Sequence, residues 1–528
     1  MKSFENSYFI NKISLQALVA LVSLSAFNVT AHGSIRVPEL SPERGNESVS
    51  ADVDRPKARP VSDRVLVRSS VDQIRVRLFA VSRGATIEGY DLRFTGQDSG
   101  QNSDKNLSAT ADSHDHGVHP KPSALEYQRL QLSWEKEQGE PTPLWTVRSR
   151  ERVLAHFHSK EFRVSGSDLL VNHRVTSSQI LFAENRSRDA MDLISQLPIE
   201  DYLAGVLPSE MPSHWPLEAL KAQAVAARTY AMFRAHEREF DGRAYHIEAS
   251  TSDQVYISEI AEQMRASSTS SSTSSSASSS ASSSASSSAS SSKVIRQLSE
   301  IKRAQIAKQR LAVRSALEAT RGEVLKDGWG RLIAAYFHAD CGGQTEEAGH
   351  VWKSSESMGV AHDEGFPSSP QANWRTDVPE NELLKKLSKL RSQGQFILPH
   401  DSSGLGVGLL TIEDAELYPS GRVKNLKLNF RDGSSRFITG HDFRMAVGAD
   451  LVRSAKFKIE RVANRAGSTQ FSIRGEGYGH GVGMCQWGAR HLAQIGTNYR
   501  AILEHYYPKA QLTLDELPPV IVKADFIR

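Results

Sequence analysis

The chain has 528 residues, of which 39% are hydrophobic, and 64 Lys and Arg against 61 Asp and Glu give a net charge of +3. That length fits roughly two to four domains, or one domain with large insertions. The near balance of charge lacks the basic excess on which nucleic-acid binding depends, so no nucleic-acid partner is expected.

In chain order, Lys2 and Lys12 flank the start of an apolar run over 13–27, and small residues follow at Val29 and Ala31. This is the pattern of a cleaved export signal over 1–31. The run is short for a bilayer crossing, and no later segment is long and apolar enough, so no transmembrane span is expected after signal cleavage. Residues 32–63, rich in Pro, Ser, Glu and Arg, read as a flexible leader. A β-rich region over 64–180 follows, because 64–81 and 162–175 alternate apolar and polar residues. It is broken by a polar loop over 96–123. The loop's His114, His116 and His119 are read as solvated linker residues rather than metal ligands.

Beyond Pro216 the apolar positions Leu217, Leu220, Ala224, Ala227 and Met232 define one face of a long helix. Pro216 suits its first turn, and Ser213 or His214 is the expected cap. Lys221 and Arg228 are seven positions apart and so share a face. Glu210 precedes this helix in "PSEMP", where Pro208 and Pro212 stiffen the chain. Among Val206, Leu207 and Met211 it is either a buried general acid with a raised pKa or an exposed loop glutamate.

The Ser-rich tract at 267–292 buries no apolar surface, so 262–295 reads as a disordered insertion in an otherwise ordered region. A charged, helix-prone stretch over 293–320 follows. Then "GEVLKDGWGRLIAAYFHADCGG" predicts a hairpin turning at Asp327 and Gly328, with 331–337 as a buried second strand. The loop over 338–347 sits where chemistry commonly resides. A second hairpin with an Asp-Gly turn is expected over 421–440, and 485–508 reads as two helices broken at Gly496. The two cysteines, Cys341 and Cys485, fit either a disulfide or two separate thiols in one site. "GEGYGHGVGMCQWGA" (475–489) has neither dinucleotide-fold nor Walker spacing. Its glycines alternate with Glu476, Tyr478, His480 and Val482, which fits an extended strand with one bare face or else a Gly-rich turn packed for structural reasons, with His480 an interior histidine.

Six blocks resemble the stage II sporulation protein D (SpoIID/LytB) family in content and order: "LPIEDYLAGVLPSEMPSHWPLEALKAQAVAARTYAMF", "SDQVY", "AYFHADCGGQTEEAGHVW", "SGRVKNLKL", "ITGHDFRMAVG" and "GEGYGHGVGMCQWGARHLAQIGTNYRAILEHYYP". The resemblance implies an α+β fold, with mixed sheets and helices forming a catalytic domain over 181–515 that carries a glycan groove, and a tail over 516–528. The best-characterised members are lytic transglycosylases that cleave peptide-stripped peptidoglycan. Their catalytic glutamate, in the "SEMP" motif, matches Glu210. By resemblance Glu210 would protonate the MurNAc–GlcNAc glycosidic oxygen, then accept the proton of the muramoyl 6-hydroxyl, leaving a 1,6-anhydro end. Lys221 and Arg228 would pair with the lactyl carboxylate of muramic acid. Gln254, Tyr256, His338, Gly342, Gly343, Tyr478, His480 and Gln486 would bind the glycan, with Tyr478 or Trp487 stacking on a sugar face.

Some members bind zinc through Cys and His just before "QVY". Here that segment, "HIEASTSD" (246–253), has no cysteine, and His338 with Cys341 makes only a two-ligand H-x-x-C. No metal or cofactor is therefore expected. The implied partners are peptidoglycan glycan strands and, since some relatives are described as enhancers, a cell-wall amidase; the implied location is the periplasm or cell wall. Two rival readings remain: a non-catalytic, peptidoglycan-binding enhancer, or a hydrolase in which Asp253 or Glu476 supplies a second carboxyl.

Overall fold

The computed structural model describes residues 73–515, apart from 83, 97–106, 109–126, 138, 186–189, 270–305, 353–356, 389, 393–394, 397, 399–407 and 464–467. The expected export segment, leader and C-terminal tail lie outside the described residues, as do the three loop histidines and 270–295 of the Ser-rich insertion.

The first half is organised by one large sheet. Its main strands are β1 (Gln73–Val81), β2 (Gly84–Gly96), β3 (Tyr127–Glu135), β4 (Leu144–Ser149), β5 (Arg152–His158), β6 (Glu161–Val171), β7 (Gln179–Glu184) and β8 (Met191–Pro198). The order is β1–β8–β7–β6–β2–β3–β4–β5, antiparallel throughout, with the short strand Ile247–Glu248 added parallel to β1. Leu107–Ser108, within the expected polar loop, pairs with β2. Residue 181 lies inside β7, in the middle of this sheet, so the β-rich start of the chain and the segment after it share one ladder. Alternation places Phe94, Trp145, Phe162 and Phe182 in one core, where Trp145 stacks on Phe162 with centroids 5.2 Å apart.

β8 runs directly into α1 (Ile199–Glu210), and α2 (Leu217–Phe240) follows after a turn. Pro216 itself caps α2; Ser213 and His214 lie in the preceding turn, which Trp215 N–H closes by donating to Pro212 O. The expected single apolar stripe of α2 is too narrow. Leu217 is 40% exposed, whereas almost every residue from Ala219 to Met232 is buried. A helix apolar on all sides is one enclosed on all sides. Ala224 and Ala227 face a core shared with Ile74, Val76 and Leu203. Ala222, Val225 and Ala226 face another shared with Met484, Ala489 and Ile502. Alanine suits this place because it favours the helix and lets both layers approach closely.

Helix α3 (Ser258–Thr269) packs on α1 and carries ordered chain through Thr269, into the segment expected to be disordered. A further helix, α4, covers 306–319, inside the charged stretch where one is expected.

The Asp327–Gly328 turn forms, with Asp327 N–H donating to Arg331 O at 2.8 Å. The expected second strand does not: 331–336 makes a single bridge, Lys326 to Leu332. Glu323–Lys326 instead pairs antiparallel with Gln511–Leu514, and Phe337–His338 pairs parallel with Met484–Cys485. The distant partners outcompete the local one.

The remaining layer holds β9 (Asn373–Pro379), α5 (Glu380–Leu387), β10 (Leu409–Leu417), β11 (Val423–Phe430), β12 (Ser435–Thr439), α6 (Gly440–Val447), β13 (Phe457–Ala463) and β14 (Thr469–Glu476). Two three-stranded sheets, β9–β14–β13 and β10–β11–β12, enclose Leu426, Leu428, Phe443 and Phe471. The expected hairpin turn is present, with Gly433 at φ 83°. So are the last two helices, α7 (Gln486–Gln494) and α8 (Tyr499–Tyr506). The whole is α+β.

A buried ion pair ties α1 to α2. Arg228, fully buried, donates from Nε and Nη2 to the two Glu200 carboxylate oxygens at 2.8 and 2.9 Å, and from Nη1 to Glu323 O at 3.2 Å. Removing one partner strands a buried charge, which costs about 3–5 kcal/mol. Glu200→Ala should therefore lower the unfolding free energy measured in urea by an amount of that order, and Glu200→Leu combined with Arg228→Met should recover most of it.

Candidate active site

Glu210 is the last residue of α1, not a loop residue; Met211 N–H donates to Leu207 O and closes the helix. The residue is half-buried, but its carboxyl is removed from water. Desolvation raises its pKa to about 7, against the opposing effect of Val255 N–H, which donates to Oε1 at 2.6 Å. Of the two readings of Glu210 from sequence, the geometry matches a buried carboxyl with a raised pKa rather than an exposed loop glutamate.

The residues around Val255 explain how that N–H is aimed. Gln254 is fully buried, accepts from Tyr202 Oη at 2.7 Å and donates to Ala227 O at 3.2 Å. Tyr256 stacks on Tyr202 with centroids 5.3 Å apart and lies over Gly205, where a Cβ would fall 2.7 Å from the ring. Asp253 is held by Arg238 at 2.7 Å and Arg234 at 3.3 Å, and accepts from Glu248 N–H at 2.8 Å. Expected as sugar contacts, Gln254 and Tyr256 are core residues that fix the chain on either side of Val255.

The glycine-rich segment is not the extended strand its alternation suggests. β14 ends at Glu476, and Gly477, Gly479, Gly481 and Gly483 have φ of 80°, 116°, 86° and 69°. Such values favour glycine. The space they leave is filled by the chain itself: a Cβ at Gly479 would lie 2.7 Å from His338 Cβ, and one at Gly483 only 2.0 Å from Tyr336 O. The bare backbone thus lets 477–483 wrap the 336–346 segment, with which Asp340 and Tyr478 exchange both backbone bonds.

His480 sits among Trp352, His338 and Tyr336, at centroid distances of 5.0, 5.5 and 5.9 Å. Its Nδ1 accepts from Val482 N–H, and burial together with the His338, Arg444 and His441 charges holds its pKa well below the usual range. His338 is buried; Nδ1 donates to Val482 O at 3.1 Å, and burial, reinforced by Arg422, pulls its pKa to about 3. Both imidazoles are neutral. Gly342 and Gly343 adopt left-handed φ of 67° and 104°, and their carbonyls accept from Lys456 Nζ and Asp363 N–H. Tyr478 is half-buried beneath Arg453, whose Cζ lies 5.7 Å from its ring. Gln486 is buried and donates to Gln223 of α2 at 3.3 Å.

The expected cation pair stands elsewhere. Lys221 binds Glu218 at 2.7 Å and lies 5.5 Å from the Tyr499 ring, whereas Arg228 is sealed against Glu200. The two share a face, as their spacing requires, but the buried Arg228 offers no surface to a ligand.

Two aromatic contacts join the Glu210 side to the glycine-rich side. Trp215, in the turn after Glu210, meets Trp487 edge-on at 5.3 Å, and Arg490 lies 5.2 and 4.6 Å from the two rings. Tyr230 approaches Tyr336 at 5.6 Å, and Tyr336 stacks on Trp352 at 4.2 Å. Sequence reasoning overlooks Trp215 and Arg490; the available signal is a Trp five positions beyond Glu210 and an Arg one helical turn beyond Trp487. Cys341 and Cys485 meet as separate thiols, Cys341 N–H donating to Cys485 Sγ at 3.3 Å.

Residues 187–326 match the family described as stage II sporulation protein. An uncharacterized protein of Brachyspira hyodysenteriae is 33% identical over 323 residues, covering 60% of this chain and 67% of that protein. The amidase enhancer of Bacillus subtilis is 28% identical over 346 residues; the match covers 59% of this chain but only 40% of the enhancer. Stage II sporulation protein D of Bacillus subtilis is 26% identical over 328 residues, covering 62% and 77%.

The raised Glu210 pKa has a measurable cost. Between the unfolded value of 4.5 and the folded value of about 7, the folded state binds the extra proton, so stability falls as pH rises through that window. Gln mimics the protonated form. Glu210→Gln should match the native protein near about pH 4 and exceed it by roughly 2–3 kcal/mol near about pH 8 in urea unfolding.

Proposed function

This chain belongs to the SpoIID family of stage II sporulation proteins, and on that footing we propose that it is an exported, cell-wall-directed peptidoglycan lytic transglycosylase. The observation that carries the reading is the Glu210 carboxyl, desolvated and poised at about pH 7. A group with that pKa is divided between acid and base near neutrality, which suits a residue that must serve as both.

In the proposed reaction Glu210 gives its proton to the glycosidic oxygen as the bond to the muramoyl anomeric carbon breaks. The carboxylate then takes the proton of the muramoyl 6-hydroxyl as that oxygen bonds to the same carbon. The 1,6-anhydro ring closes, the glycan chain leaves, and Glu210 ends protonated. No water is consumed, so one carboxyl suffices where a hydrolase uses two. Val255 N–H stabilises the carboxylate stage without abolishing the acid. Trp487, Tyr478 and His480 form the sugar-contacting surface, with Trp215 packed behind Trp487. Arg490, stacked on both indoles, takes the role of meeting the lactyl carboxylate in place of Arg228.

Hydrolysis is the weaker reading. Asp253 is committed to Arg238 and Arg234, and Glu476 pairs with Lys456 at 2.8 Å. A non-catalytic enhancer of an amidase is favoured by one relative's name, though the match covers 40% of that relative.

Incubation with peptide-stripped peptidoglycan, followed by mass spectrometry, separates the three. Anhydro-ended fragments are expected, reduced about 10²–10⁴-fold by Glu210→Gln. Reducing ends would establish hydrolysis; glycan binding with no fragments would establish the enhancer. For the free enzyme, kcat/KM should fall as pH rises through about 7, where the Glu210 acid form is lost.

A further inference from the structure

His338 and Cys341 are three residues apart, and the parallel pairing of Phe337–His338 with Met484–Cys485 brings in Cys485 from 144 residues beyond Cys341. All three are buried, at 4%, 2% and 2% exposure, and each offers a donor atom within 4.8 Å of the other two. The histidine is already in the required tautomer. A carbonyl can only accept, so the contact with Val482 O places the proton on Nδ1 and leaves a lone pair on Nε2. That Nε2 is buried and has no hydrogen-bond partner among the described residues. A metal-bound histidine characteristically donates its other ring N–H to a backbone carbonyl in this way. An unpaired buried nitrogen otherwise has only its desolvation cost.

The sulfurs are similarly prepared. Cys485 caps α7, and its Sγ accepts from Cys341 N–H at 3.3 Å and Gly488 N–H at 3.4 Å, with Ala339 O as its acceptor at 3.8 Å. Burial pushes the Cys485 thiol up in pKa, so the sulfur keeps its proton until a metal displaces it, while the two backbone donors and the helix N-terminus hold Sγ in place to receive one. Cys341 donates to Asp363 Oδ2 at 3.3 Å, and Asp363 is separately held by Tyr506 at 2.8 Å and His505 at 2.9 Å. Arg422 stays outside the donor set, donating to Cys341 O and Gln344 O.

We propose that His338 Nε2, Cys341 Sγ and Cys485 Sγ form a structural site for a zinc-class divalent cation. Imidazole with two thiolates is a borderline-soft donor set that suits zinc rather than magnesium or calcium. Binding at about 2.3 Å from each sulfur and about 2.0 Å from nitrogen requires only a small closure of the cluster. The two thiol protons leave as the metal enters, and Asp363 lies behind Cys341 as an adjacent oxygen donor. The ion would pin the glycine-rich segment to 337–341, fixing the wall on which His480 and Tyr478 stand. The H-x-x-C of the sequence thus gains its third ligand from the fold, which revises the expectation of no metal. The site does not depend on the proposed reaction.

The test is a cobalt(II) titration of the full chain after chelation under reducing conditions, with circular dichroism to verify folding. One equivalent should bind, with thiolate-to-cobalt absorption in the near ultraviolet and release of two protons. Cys341→Ser and Cys485→Ser should each remove most of that absorption, and His338→Gln should weaken binding about 10–100-fold. Should a variant fail to fold, the titration of the native chain decides alone. A folded native chain that binds no stoichiometric cobalt, binding indifferent to both serine variants, or a Cys341–Cys485 disulfide in the non-reduced protein would each overturn the proposal. None of these readouts involves glycan cleavage, so failure here and failure of the transglycosylase reading are distinguishable.

Discussion

One helix enclosed on every side sets the positions of the rest. α2 has cores on opposite flanks, and its alanines make both approaches close. Small side chains leave little tolerance, because a close-packed interior registers even one added methylene. Arg228 then couples α2 to α1 through Glu200 and to the strand at 323–326 through a carbonyl. Gln254 hooks the 253–256 segment onto Ala227 O of the same helix and onto Tyr202 of α1. The Glu210–Val255 contact is thus made between two pieces of chain that are each registered to α2. A buried ion pair gives weak net stability compared with apolar packing. Its value at Arg228 is positional: two fixed oxygens against a planar fork allow one arrangement of α1.

Two effects set the Glu210 pKa, the burial of its carboxyl and the Val255 N–H. Asp253, two residues before Val255, has its own charge compensated by two arginines. Desolvation therefore outweighs the single Val255 hydrogen bond, and the carboxyl stays protonated to about pH 7. A close cation would reverse that balance, since an opposite charge within a few ångströms lowers a carboxyl pKa by about 1–3 units. Arg228 beside the acid would have been such a cation; it is engaged with Glu200 instead.

How much of this was legible depended on whether neighbours in sequence are neighbours in space. The helices at 486–494 and 499–506 follow from local periodicity and one glycine, and the 432–433 turn from its residue types. Both need only local information. The apolar run 331–337 satisfies a strand template equally well, yet its partners lie more than 140 residues away, so the local hairpin loses. The Lys221–Arg228 face was derived correctly from helical spacing. Spacing cannot say which side of a helix is covered when all sides are. Gln254 and Tyr256 stand in a family motif, and a motif marks importance without distinguishing contact with substrate from support of the residue between them.

The glycine alternation is the most instructive case. A period of two is the signature of an extended strand, and the same period arises when every second residue must take a left-handed turn. Only contacts separate the two, and here they are internal. At Gly477 a Cβ would fall 2.9 Å from Asp340 O, and at Gly481 2.4 Å from the Arg422 guanidinium. Each glycine adds unfolded-state freedom, about 0.5–1 kcal/mol relative to alanine, so four such residues impose a real cost. The return is that Tyr478 is held by two backbone bonds to Asp340, and the His480 ring, through Nδ1, by Val482 N–H. Side chains set on a clamped backbone lose less entropy when they order against a ligand. The glycines thus fix the residues they separate, which on the proposed reading is their service to recognition.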